Sequence, residues 1–214
     1  FIRDLRVPFF LSMTTPIATD TELSAVNSIL GSIGQSPITT LNFQNPEVSF
    51  IHNILTEVTK DVLNEGWHFN TEDHVKVSPD ANGNITIPTN YLRYDLNNGQ
   101  ADKHMDLVKR DGKLYDLVNH TDVFDHDMEL DVTYLFSFTD IPSVFQRYII
   151  SRAATRAATQ LVSNKELVSL LQVQEGTNRA ALLEYECNQG DHSFFGFPHN
   201  SGYKSFQPYN SLHR

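Results

Sequence analysis

The chain has 214 residues, 40% of them hydrophobic and 20% charged, proportions that build an ordinary globular core without disulfide or metal staples. Its net charge of -10 argues against a surface that grips nucleic acid, because that energy comes from clustered Lys and Arg displacing phosphate counterions. No apolar run reaches the roughly 18 residues of a bilayer span, and the apolar opening at 7–13 is short and lacks a cleavage pattern, so no anchor and no signal peptide are expected.

Met13 is read as the biological start, ahead of a first helix over residues 20–33. Leu23, Val26, Ile29, Leu30 and Ile33 recur there at spacings of three and four, with Asp20 or Thr21 as cap and Gly34 as stop. Pro46 opens a second helix over 46–64, whose stripe is Ile51, Ile54, Leu55, Val58 and Val62. Gly66 ends it before Trp67 and Phe69, which read as core aromatics.

Over 74–138 the period changes to two, the mark of strands. Asn82-Gly83 is read as a hairpin turn between 75–77 and 85–87, and Asp111-Gly112 as another between 107–109 and 114–115. A final strand is expected to place Val132, Tyr134, Phe136 and Phe138 on one face, with Thr133 and Ser137 on the other.

Helical spacing returns after Pro142 in Phe145, Tyr148, Ile149, Ala153, Ala157 and Leu161, while Ala153, Ala154, Ala157 and Ala158 form a low surface that lets helices approach closely. A last helix over 165–186 carries Leu167, Leu170, Leu171, Ala181, Leu182 and Tyr185, with a bend expected at Gly176. The order predicts an α+β fold: a bundle of about four helices built from both ends of the chain, with an inserted antiparallel β subdomain. The expected divisions are 13–66 and 141–190 for the helical parts, 67–140 for the β subdomain and 191–214 for an extended partner-binding tail.

That tail is rich in Gly, Pro, Asn and Ser yet holds Phe194, Phe195, Phe197, Tyr203, Phe206 and Tyr209. Two readings stand: the aromatics anchor a partner, or they pack back on their own domain. Arg147, Arg152 and Arg156 flank the alanine surface, and either meet acidic groups of a neighbouring subunit or form a solvated face.

Catalytic and metal patterns are missing. His120 and His126 stand near Asp122, Asp125 and Asp127, but the spacing matches no HExxH, CxxC or DxDxDG site, and a solvated acidic turn is expected. No phosphate loop and no GxSxG elbow occurs, so no cofactor is expected. Cys187 is the only cysteine; it cannot close an intramolecular disulfide, and Glu184 and Glu186 oppose its thiolate, so cytosolic assembly and no nucleophile are expected. Glu175 with Glu184, or Asp125 with Asp127, are the carboxylate pairs a hydrolase would need, though nothing in their spacing fixes a glycosidase geometry.

Several blocks together resemble the tail tubular protein A family of short-tailed bacteriophages. They are Leu23-Ser24-Ala25-Val26-Asn27, running on through Ser32-Ile33-Gly34 to Pro37 and Leu41; Gly66-Trp67 with Phe69-Asn70; Arg110, Gly112 and Tyr115-Asp116; Asp140-Ile141-Pro142 with Phe145 and Tyr148-Ile149; and Glu184-Tyr185-Glu186. The resemblance covers roughly residues 23 to 187, and the first block is the most specific.

It implies a non-enzymatic virion protein, a ring of about twelve copies between portal and tail nozzle, with tail fibres held near the junction and genomic DNA passing through unbound. The aromatic tail would hook the portal, and about twelve copies at -10 each would give a ring of roughly -120 that repels DNA. A tail-associated carbohydrate hydrolase is the alternative, and a DNA-binding closure factor a third, disfavoured by the acidic composition.

Overall fold

The computed structural model describes residues 21–96 and 105–189. Helix α1 (Glu22–Ser32) begins with a capping box in which the Thr21 hydroxyl accepts from Ser24 N at 3.3 Å and Ser24 Oγ accepts from Thr21 N at 3.0 Å. It ends at Gly34, whose φ of +82° lets the chain turn back. Asn27 then clamps the following loop, donating from Nδ2 to Ile38 O at 2.9 Å and accepting from Ile38 N at 2.8 Å. Helix α2 (Pro46–Leu63) is capped by Asn45, carries Pro46 in its first turn and buries Ile51, Ile54, Leu55, Val58 and Val62 as the periodicity predicts.

The β region contains β1 (Thr71–Val77), β2 (Tyr91–Leu96), β3 (Leu107–Arg110), β4 (Lys113–Asp116) and β5 (Met128–Tyr134). Strand β5 lies at the centre of an antiparallel sheet ordered β1-β5-β2, and β3 pairs with β4 alone. Having a neighbour on each side, β5 buries Met128, Leu130 and Val132. The β3–β4 hairpin turns through Asp111 and Gly112, with φ of +51° and +79°, the left-handed pair that Asp-Gly supplies most readily.

Two strand expectations are corrected. Asn82-Gly83 does make a tight turn, held by the Asp80 carboxylate accepting from Asn82 N and Asn84 N at 2.8 and 2.9 Å, but it joins no hairpin. Val75, Lys76 and Val77 pair with Leu130, Glu129 and Met128, while Thr86 bridges Lys113 and Leu114 N donates to Ile85 O. Packing decides this: Ile85 and Ile87 gain burial beside Leu114 that a local hairpin would not give them. The last strand also stops at Tyr134, so Phe136 and Phe138 lie beyond it, and Phe138 belongs to a single 3₁₀ turn, Phe138–Asp140. Thr133, expected on the open face, is buried.

Helix α3 (Ser143–Ala157) is the hub and packs against α1, α2 and α4 (Lys165–Gln189). Ala153, Ala154, Ala157 and Ala158 are all buried, so the small surface serves contacts within the chain. Beyond α3 the backbone widens through Ala158–Val162, where Ser163 N donates to Ala158 O, and Ser163 takes a φ of +54° that ends the helix. The wider turn rotates Leu161 off the apolar stripe, and this residue, expected in the core, is exposed. Helix α4 runs unbroken through Gly176. It buries Leu171 and Leu182, but Leu170 and Ala181 face outward, because a helix resting on one neighbour needs only a narrow apolar stripe.

Two apolar clusters result. One fills the bundle and includes Val26, Ile51, Val62, Phe145, Ile149 and Leu182; the other lies by the sheet around Ile85, Leu114, Phe124 and Leu130. Trp67 and Phe69 join the first, at 5.1 and 4.6 Å from the Phe145 ring, and Phe69 stacks on Phe136 at 6.2 Å. The aromatics after Gly66 are core, as the sequence suggests.

Candidate assembly interface

The three arginines singled out on α3 have different surroundings. Arg152 Nη1 lies 3.6 Å from Glu65 Oε1 and donates to the Tyr148 hydroxyl at 3.3 Å. Arg156 reaches Glu57 at 3.5 Å and Asp61 at 3.4 Å. Arg156 therefore ties α3 to α2, and Arg152 ties it to the turn just after α2, both within one chain. Arg147 is exposed and forms no ion pair with another described residue.

Glu65 also takes a fork of two hydrogen bonds from Arg179 of α4, at 3.1 and 2.7 Å. The hydrogen-bonded Glu65 carboxylate raises the Arg179 pKa above its ordinary value, and the guanidinium lies 5.3 Å from the Trp67 ring and 5.2 Å from the Tyr148 ring. Nearby, His68 N donates to Glu186 Oε1 at 2.7 Å. The three helices are thus latched at one corner by Glu65, a residue that periodicity alone does not single out. Its signal was weak: one acidic residue in a helix end before Gly66.

The tail aromatics Phe194, Phe195, Phe197, Tyr203, Phe206 and Tyr209 lie outside the described residues. Among the apolar features of the described surface, two lie on different helices and are candidates for an interface. A cleft of about 130 Å³ opens between α1, α2 and the segment after β5, its wall formed by Leu55, Leu135, Phe136 and Phe138, and its rim by Glu22, His52 and Lys60. His52 and Glu22 pair at 3.4 Å, and the exposed Phe43 ring meets the His52 ring edge-on at 4.9 Å. On α4, Leu170 and Val173 are 70% and 69% exposed, and Leu183 is exposed beside them.

The chemical alternatives find little geometry. Glu175 and Glu184 are nine residues apart on one helix, which puts them on opposite faces. Asp125 pairs with His126, whose hydrogen bond holds the carboxyl below its usual range, and Asp127 with Lys76 at 2.8 Å. The only carboxylate on the cleft is Glu22. Among the described residues no three of His, Cys, Asp or Glu stand together as a metal site, and no helix is long and apolar enough to cross a membrane.

Comparison with known proteins agrees with the architecture. Residues 23–192 match the family model described as tail tubular protein, which takes in both the bundle and the β subdomain. A 122-residue stretch, 56% of this chain, is 33% identical to tail tubular protein A of Klebsiella phage KP34 and spans 62% of that protein's length. The chain belongs to the tail tubular protein family.

Proposed function

We propose that this protein is the ring-forming adaptor between portal and tail nozzle, in about twelve copies, through which genomic DNA passes without being held and near which tail fibres attach. The coarser statement, a structural subunit of a phage tail, follows from family membership. The observation that carries the finer one is the match across nearly the whole described part, joined to an acidic chain with exposed apolar patches on two different helices.

A closed ring needs a different patch on each flank of the subunit, and a chain with two unlike apolar surfaces fits that need. About twelve copies at -10 each would make the wall repel DNA and so let it slide. Mixing the purified chain with portal should give a ring-on-ring complex by native mass and negative stain, with no turnover of carbohydrate. A chain that remains monomeric on portal, or a lumen lined mainly with Lys and Arg, overturns the reading. Deleting residues 191–214 should weaken portal docking while leaving the fold intact, and unchanged docking removes the tail as the hook.

A further inference from the structure

Helix α4 presents an outward face with an unusual composition. Glu166 and Glu184 are eighteen residues apart, five full turns, so they stand on one side of the helix about 27 Å from each other. Between them residues 167–183 carry two charges, Glu175 and Arg179. Both are half-buried, away from the outward face, and Arg179 is held by Glu65. The face itself shows Leu170, Val173, Gly176, Thr177, Ala180 and Leu183, all exposed, with the exposed but uncharged Gln172 and Gln174 at its edges. A helix meant only for water carries charges on its outer side; this one is uncharged over four turns, with Leu170, Val173 and Leu183 exposed on it, in a chain that is one-fifth charged.

The α2 flank offers the complementary features. Its cleft has aromatic and leucine walls, about the volume that admits one branched aliphatic side chain, with Phe43 standing beside it. Charge matches as well. Lys60 is exposed on the rim and forms no ion pair with a described residue, whereas Glu22 is engaged by His52, and Glu57 and Asp61 by Arg156. Glu166 and Glu184 on α4 likewise have no cationic partner among the described residues. One surface is an uncharged strip with acidic ends, the other an aromatic cleft whose mixed rim carries Lys60 outside any ion pair with a described residue.

A symmetric α4–α4 contact is disfavoured, since antiparallel pairing centred near Gly176 sets Glu166 against Glu184 of the second helix. Two copies of net charge -10 also approach most easily through surfaces that add no like charge. We infer that the outward face of α4 seats on the α2 cleft of the next copy, Leu170 entering the cleft, Val173 packing on Phe43 beside it, and Glu166 or Glu184 meeting Lys60. This rests on the ring reading and assigns its two flanks.

The test uses the full chain assembled on portal, followed by native mass spectrometry and sedimentation velocity. Leu170→Glu with Val173→Glu spoils the α4 flank; Phe43→Asp with Lys60→Glu spoils the α2 flank. Each should stay folded by circular dichroism and weaken ring formation at least about tenfold. Mixed together in the absence of portal, the two variants should form one-to-one dimers and nothing larger, because each retains the flank the other lacks. Val118→Glu, on an exposed loop of the β subdomain, should assemble normally.

If both flank variants form rings like the unaltered chain, this assignment falls and the ring reading stands. If the mixture gives no mixed dimer while one variant self-pairs, the contact is symmetric and the assignment also falls. If the unaltered chain forms no ring on portal, the ring reading itself fails, a distinct result.

Discussion

The side chain of Asn70 is fully buried, and both its polar ends are used. Oδ1 accepts from Trp67 N at 2.8 Å, and Nδ2 donates to Leu63 O at 2.9 Å and Tyr134 O at 3.0 Å. One amide thus joins the end of α2 to the end of β5. Asn70→Ala should lower the unfolding free energy by about 3 kcal/mol in urea melts, since it leaves a cavity and a buried N–H without a partner. Asp116 does comparable work in the hairpin. Its buried carboxylate accepts from Asp106 N, Val118 N and Asn119 Nδ2 at 3.2, 2.9 and 2.6 Å. Burial pushes its pKa up, but the hydrogen bonds together outweigh this and hold it below the usual carboxylate range. A depressed folded pKa stabilises above the unfolded value near 4 and loses that contribution as pH falls through the folded one. Asp116→Asn should therefore cost about 1 kcal/mol or more at pH 7 and progressively less below pH 4, read as a flatter acid limb of stability against pH. Asn27, Asn70 and Asp116 all belong to the blocks that carry the family resemblance, and each is a polar hub: Asn27 and Asp116 fix neighbouring loops, while Asn70 ties segments far apart in the chain.

Helix α3 touches every other helix, and its four buried alanines set how close they come. Ala157→Leu inserts three carbons where no space exists, so it should destabilise by about 1–3 kcal/mol and shift the urea midpoint while the β subdomain keeps its strand signal longest. At this scale most of the bundle could be read from spacing: the α1 and α2 stripes, the Thr21 cap, Pro46 and the Gly34 and Gly66 stops are local signals, and local signals survive into the fold. The β region was less readable, because pairing is non-local. Nothing near residues 75–77 announces that their partner lies at 128–130, and a real tight turn at Asn82-Gly83 mimics a hairpin that packing rejects. Leu161 and Leu170 misled for a related reason: periodicity reports that a residue is apolar at a given spacing, and cannot say whether the helix has a neighbour on that side or a widened turn before it.

For the whole molecule the same limit hides the proposed interface from the sequence. Arg147, Arg152 and Arg156 are conspicuous in sequence, yet Arg156 serves the chain's own α2 and Arg152 the turn after it, and the surface proposed for a neighbour is marked by missing charge on α4, a signal that appears only once the buried side of the helix is known. That surface also sets how assembly responds to salt. Copies of charge -10 repel one another over a distance set by the Debye length, roughly 10 Å at 0.1 M salt. The contact proposed between α4 and the α2 cleft is mainly apolar, with few ion pairs to lose. Screening therefore removes more repulsion than attraction, and the concentration for half-assembly should fall several-fold between about 20 and 300 mM NaCl. A ring held chiefly by ion pairs would respond the opposite way, as would a protein that bound DNA through its phosphates. Light scattering across that range decides between them, and Lys60→Glu, which turns the basic rim acidic, should steepen the dependence because it adds repulsion for salt to screen.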